Sequence, residues 1–147
     1  MKLNIGCGNY HIGGYTNIDK EPSVRPDILR DIEKGLPFSD ETIEEIFTSH
    51  TLEHINDLIF VLNEFHRVLK PGGLLHIIVP SGRAIEWALR DPTHKRLIFP
   101  QTFWYFCGGF PGLTESMGIT ARFKILKEQT RAIPDQNGED YEIWLQK

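Results

Sequence analysis

The spacing of apolar and polar positions changes several times along the chain, and each change marks an element. Leu3, Asn4 and Ile5 read as a short strand, broken at once by Gly6-Cys7-Gly8. Tyr15–Ile18 reads as a second strand with Asp19 at its end. After a loop marked by Pro22, Ser23 and Pro26, Ile28–Asp31 reads as a short third strand, again ending in an acid. Ile43–Ser49 leads into a fourth, whose short apolar run resembles a buried parallel strand. Leu58, Ile59, Val61, Leu62, Phe65, Val68 and Leu69 then fall at spacings of three and four, which predicts an amphipathic helix. Asn56 or Asp57 is suited to cap its start, and Lys70-Pro71-Gly72-Gly73 to end it. Leu74–Val79 is the most apolar strand and is expected to lie centrally. Further on, Arg83–Arg90 reads as a short helix and Gln101–Phe106 as an aromatic-rich helical turn. Phe123–Thr130 and Tyr141–Gln146 read as two last strands, with Gln136-Asn137-Gly138 as a hairpin signal.

Strands alternating with crossovers and closed by an antiparallel pair predict an α/β sheet with its ligand at the carboxyl strand ends. Only Gly6–Gly14 separates the first two strands, too short for the helix that a parallel crossover usually carries. One sheet face is therefore expected to be thinly covered there, and to offer an association surface. The glycines let the backbone turn tightly and approach a ligand, and an acid at the end of the next strand can accept two ribose hydroxyls. Asp19 and Asp31 also suit plain turns, but two acids ending consecutive strands beside a glycine turn favour a nucleotide site.

At 147 residues the chain reads as one domain, residues 1–147, long enough to bury a core without disulfides. The formal net charge of −4 argues against a general nucleic-acid binder. Two cysteines, Cys7 and Cys107, make no disulfide framework, and no apolar run reaches transmembrane length, so a cytoplasmic protein with no membrane contact is expected. Cys7 reads as a small residue between glycines, or as a reactive thiol.

Four runs, in order, resemble the class I S-adenosylmethionine-dependent methyltransferases, and within them the small type 11 domain proteins. They are Leu3-Asn4-Ile5-Gly6-Cys7-Gly8, Leu36-Pro37-Phe38-Ser39-Asp40, Ser49-His50-Thr51-Leu52-Glu53-His54 and His66-Arg67-Val68-Leu69-Lys70-Pro71-Gly72-Gly73. The resemblance implies a doubly wound, mostly parallel, Rossmann-like sheet of seven strands, here with a C-terminal antiparallel hairpin and a shortened first crossover. It implies S-adenosyl-L-methionine as cofactor and methyl transfer to an acceptor that the sequence does not name. By position, Asn4, Gly6, Cys7 and Gly8 would pass under the methionine part of the cofactor. Asp19 would take the ribose, Asp31 and Ile32 the adenine, and Ser49 and His50 would face the sulfonium and the acceptor. The family commonly has an acid where this chain has Asn4 and a third glycine where it has Tyr10. The alternative is a non-catalytic domain of the same fold that acts through a partner protein.

His50 to His54 also match the His-x-x-Glu-His pattern of a zinc-protease class. That pattern needs a helix and a further ligand downstream, whereas here it straddles a strand end, so no metal is expected. A nicotinamide fingerprint wants a glycine at His11 and a full helix before the acid, and neither is there. Asp91–Arg96 reads as substrate-contacting or as a solvated loop, with His94 or His50 available as a base for a hydroxyl acceptor. Trp87, Phe103 and Trp104 read as core, or as a stacking surface for substrate. Cys107–Gly118, rich in glycine, is the segment expected to serve as a mobile lid. With strand one at the amino terminus and no helices ahead of it, the cleft is expected to be open. A bulky acceptor, a second copy of the chain or a partner protein would complete it.

Overall fold

The computed structural model describes residues 1–147, apart from the side chain of Asp135. Seven strands form one sheet: β1 (Lys2–Ile5), β2 (Thr16–Asp19), β3 (Ile28–Leu29), β4 (Ile43–Ser49), β5 (Leu69–Pro80), β6 (Lys124–Ile133) and β7 (Gly138–Gln146). Their order is β3-β2-β1-β4-β5-β7-β6, with β7 antiparallel to both β5 and β6 and the remaining pairs parallel. The chain thus winds outward from β1 in both directions, which makes the sheet doubly wound and leaves a switch point between β1 and β4. The helices are α1 (Leu58–Val68), α2 (Ile85–Leu89), α3 (Pro100–Trp104) and α4 (Leu113–Ser116).

The predicted three-four spacing puts Leu58, Val61, Leu62, Phe65 and Val68 of α1 into the core, against Leu3, Ile5, Ile46, Leu75 and Ile77 of the sheet. Asp57 caps α1 by accepting from the Phe60 N–H at 2.9 Å. The Lys70–Gly73 stretch ends the helix as expected, but it continues in extended form and bulges. The β4–β5 register jumps there from Ile43↔Leu69 to Glu45↔Leu74. Strand β3 stops at Leu29, short of the predicted Asp31, because Asp31 leaves the ladder to cap a 3₁₀ turn at Ile32–Lys34.

The opposite face of the sheet carries no helix over the first crossover, where residues 6–15 form turns and loop. Two asparagines in register, Asn4↔Asn17, stand beneath it. Asn4 Nδ2 donates to the Tyr10 carbonyl at 2.8 Å and to Asn17 Oδ1 at 2.9 Å, and Asn17 Oδ1 also accepts from the Ile12 N–H at 2.8 Å. A satisfied amide pair therefore replaces the missing helix. Asn4 and Asn17 are both buried beside the crossover. Further along the same face Phe47, His76 and Trp144 make an aromatic row, with His76 stacked on Trp144 at 4.4 Å.

In the segment expected to serve as a lid, α4 is flanked by glycine bends. Cys107–Gly118 is folded: Gly108, Gly112 and Gly118 take left-handed φ values of 79°, 83° and 77° at the bends around α4. Asn63 of α1 holds its end, donating to the Gly118 carbonyl at 2.8 Å and accepting from the Thr120 and Ala121 N–H groups at 3.0 Å.

Candidate functional site

A cavity of about 700 Å³ opens at the carboxyl ends of β1, β2 and β4, at the switch point of the sheet. Gly6, Gly8, Asp19, Asp31, Ile32 and His50 line it, six of the residues singled out from the sequence. Asn4, Cys7, Ser49 and His94 do not.

The glycine turn is fixed from both sides. The Gly6 and Cys7 N–H groups donate to the Ile18 carbonyl at 2.8 and 3.1 Å. Gly6 has φ +68°, and a Cβ there would lie 2.0 Å from Thr51 Oγ1, so Thr51 after β4 closes directly onto it. Gly8 has φ +48°, and a Cβ there would meet only open space. Its N–H donates to Asp19 Oδ2 at 2.9 Å, which ties the turn to the end of β2. Asp19 Oδ1 accepts from the Glu21 N–H at 2.9 Å. Two of the carboxylate's four lone-pair positions are thereby used, and two remain. Asp31 is similar: Oδ1 caps the Glu33 N–H at 3.1 Å, and Oδ2 has only Lys34 Nζ near it, at 4.0 Å. Asp31 is thus both turn residue and cavity residue.

Asn4 lies below this layer, 2% exposed, with its amide bound to Tyr10 and Asn17. Cys7 is buried, and burial, with Asp19 nearby, raises its thiol pKa, the opposite of an activated nucleophile. Ser49 ends β4, and its carbonyl accepts from Thr51 Oγ1 at 3.1 Å.

His50 follows β4 with φ +50°, an uncommon conformation for a residue with a side chain. Its Nε2 lies 3.2 Å from Asp140 Oδ2 and its Nδ1 3.6 Å from Glu53 Oε1. The hydrogen bond with Asp140, then Glu53, raises the His50 pKa to about 9 against the lowering effect of burial. That direction favours the protonated ring, with a carboxylate facing each of its nitrogens. Burial pushes the Asp140 carboxyl up, but His50, Trp87 and Arg131 together pull it below its ordinary value.

His94 is 8% exposed at its side chain and does not line the cavity. Its loop does reach the cavity, through Pro92, Thr93 and Lys95. That loop is pinned to the segment after β4, with the Lys95 N–H donating to the Glu53 carbonyl at 2.7 Å and Arg96 to Ile55 at 2.8 Å. The aromatic candidates lie elsewhere. Phe103 is core, stacked with Tyr141 at 5.9 Å, and Trp87 donates to Asp140 Oδ1 at 3.2 Å. Trp104 borders a separate shallow groove with Cys107, Phe110 and Ile125.

Thr51 and His54 line the cavity without having been singled out for it, and Lys95 was given only as part of its loop. Gly6 beside Thr51 is a contact between distant segments and leaves no local signature. His54 was named only as the last residue of a family run and of the zinc-protease pattern, with no role at the cavity.

Comparison with known proteins agrees with this geometry. Residues 15–77 match the model of a family described as a methyltransferase domain. The chain is 34% identical over 76 residues to the ubiquinone/menaquinone biosynthesis C-methyltransferase UbiE of Desulfotalea psychrophila, covering 52% of this chain and 27% of that protein. The chain therefore spans about a quarter of that relative's length. A SAM-dependent methyltransferase from Archaeoglobus fulgidus superposes with TM-score 0.69 at 18% identity, covering 99% of this chain and 85% of that one. A chain from the Haloferax volcanii complex of the Trm112 methyltransferase activator gives TM-score 0.72 at 13% identity, covering 99% and 81%. The resemblance to class I methyltransferases and the fold it implies are borne out.

Proposed function

We propose that this methyltransferase-domain chain binds S-adenosyl-L-methionine at the carboxyl ends of β1, β2 and β4 and transfers its methyl group to an acceptor at the cavity mouth. One observation carries the reading: the Gly8 N–H is bonded to Asp19 across the switch point, with open space above Gly8 and Asp31–Ile32 forming the next wall. The residues present fit the cofactor. Asp19 keeps two acceptor positions for ribose hydroxyls, Asp31 keeps Oδ2 for the adenine amino group, and Ile32 supplies an apolar wall.

When bound, the cofactor supplies an electrophilic methyl on a sulfonium. The protein's part is mainly alignment, since in-line displacement needs donor and acceptor held at reacting distance. Gly6 and Gly8 allow close backbone approach, and Thr51 locks Gly6 in place. His50, its protonated form favoured by Asp140 and Glu53, fixes the end of β4 rather than moving a proton. With His50 held in that form and His94 off the cavity lining, an acceptor that is nucleophilic without a base fits this site best.

Asn4, whose amide is spent on the crossover, brings no charge to the methionine end, and Lys20, Arg30 and Lys95 also border the cavity. Tight binding then rests on the ribose and adenine contacts. A partner at the open mouth remains part of the reading, in keeping with the Haloferax volcanii chain solved beside an activator. Thermal unfolding with S-adenosylhomocysteine tests the proposal: the ligand raises the melting temperature of the parent, and much less that of Asp19→Ala. No shift in the folded parent at millimolar ligand contradicts it and favours the non-catalytic domain.

A further inference from the structure

Glu53 is buried at 2% exposure, and neither of its carboxylate oxygens has a hydrogen-bond partner among the described residues. A buried carboxylate left this way is costly, and a native fold keeps one only where something neutralises it. Two imidazole nitrogens face it beyond hydrogen-bond reach: His50 Nδ1, in an ion pair with it at 3.6 Å, and His94 Nε2 at 3.9 Å. His50 is already committed to Asp140 at 3.2 Å. The rings of His54 and His94 meet edge to face at 4.7 Å, and ligand atoms from Glu53, His54 and His94 all lie within 4.8 Å of one another.

Hydrogen bonds on the far sides of both rings set their tautomers. His94 Nδ1 lies 2.5 Å from the Ala88 carbonyl, which can only accept, so Nδ1 carries a proton and, in the neutral ring, Nε2 holds the lone pair. Thr93 Oγ1 donates its one proton to Asp91 Oδ1 at 2.6 Å. It therefore accepts from His54 Nδ1 at 3.0 Å, leaving the lone pair of His54 on Nε2. Metal-bound histidines are oriented in this way, by a carbonyl, hydroxyl or carboxylate on the nitrogen away from the ion.

We propose that Glu53, His54 and His94 form a site for a divalent transition-metal ion of the zinc class, set in the wall of the cavity. Two imidazoles and a carboxylate suit such an ion and not magnesium or calcium, which prefer oxygen ligands throughout. Ligand atoms around a tetrahedral ion with ~2.1 Å bonds lie about 3.4 Å apart, so the three side chains close by about an ångström on binding. His54 also lines the cavity, so the ion would stand beside whatever occupies it. The zinc-protease pattern would pair His50 with His54. The fold instead turns His50 toward Asp140 and brings in His94, forty residues further on, through the pinned 91–96 loop. The inference is independent of methyl transfer, because it is read without cofactor or acceptor.

The test is zinc binding to chelator-stripped protein, followed by competition with a chromogenic chelator and by elemental analysis after desalting. The parent is expected to retain one equivalent of zinc and to melt at a higher temperature with it. His54→Ala and His94→Ala weaken binding by at least about tenfold, while His50→Gln, with unchanged circular dichroism, keeps it. His54 and His94 are both half-buried, so each variant remains informative if the other fails to fold. A folded parent that retains no zinc overturns the proposal, as does loss of binding in His50→Gln with none in His54→Ala. Titration of the same samples with S-adenosylhomocysteine separates this outcome from failure of the methyltransferase reading.

Discussion

At the scale of single residues, Asp19 does two jobs whose consequences can be told apart. Its carboxylate holds the Gly8 and Glu21 N–H groups and has lone pairs left for a ligand. Charge-assisted hydrogen bonds contribute roughly 1.5–3 kcal/mol each, so Asp19→Ala is expected to weaken S-adenosylhomocysteine at least about tenfold. An unchanged dissociation constant in the folded variant removes Asp19 from the site. Asp31→Asn should be milder than Asp31→Ala, since the amide oxygen still accepts from an adenine amino group. Equal, parent-like affinity in both would leave Asp31 only its cap on Glu33. The two glycines separate fold from site. Gly6→Ala collides with Thr51 and should lower the melting temperature strongly. Gly8→Ala costs only the left-handed backbone, about 1–2 kcal/mol, and should mainly impair ligand binding. The acids and the turn were legible because a strand end is a local signal. The partners of Asn4 and the facing of His94 were not legible, because what an asparagine bonds to and which way a loop histidine faces depend on distant segments.

At the scale of elements, α1 is the part most fully written in the sequence, since the spacing that predicts it also selects the face it buries. Its polar face has a function the spacing did not disclose. Arg67 donates to the Phe38 carbonyl at 2.9 Å and to Asp40 at 2.7 Å, and Glu64 accepts from the Leu36 N–H at 3.1 Å. The pair thus fastens the turn leading into β4. Arg67→Ala should destabilise the fold by roughly 1.5–3 kcal/mol, and Arg67→Lys should recover little, because one ammonium cannot reproduce the fork. Arg67 holds the Glu64 carboxyl below its ordinary 4.5. The stability this pair contributes is complete above that value and is lost as pH falls through the lower folded one. Acid unfolding of Arg67→Ala should therefore show a smaller pH dependence in that window than the parent, and an identical dependence would count against the link. The Cys107–Gly118 segment shows the opposite case. Its glycines suggested mobility, yet three of them take left-handed conformations that shape bends around α4. Glycine content alone does not distinguish a hinge from a fixed bend.

At the scale of the whole molecule, the α/β class and the thin cover over the first crossover were legible in the alternation of strands and the short Gly6–Gly14 link, while the seven-stranded, doubly wound sheet came with the family resemblance. What fills the place of the missing helix, a buried asparagine pair, was read as a site residue and a strand residue. The account depends on one claim: the cavity between the glycine turn, Asp19 and Asp31 is an S-adenosylmethionine site. Calorimetric titration of the folded parent with S-adenosylhomocysteine tests it most directly. One-to-one binding, with the heat reduced or lost in Asp19→Ala, is the predicted result; no heat of binding at millimolar ligand would contradict the claim.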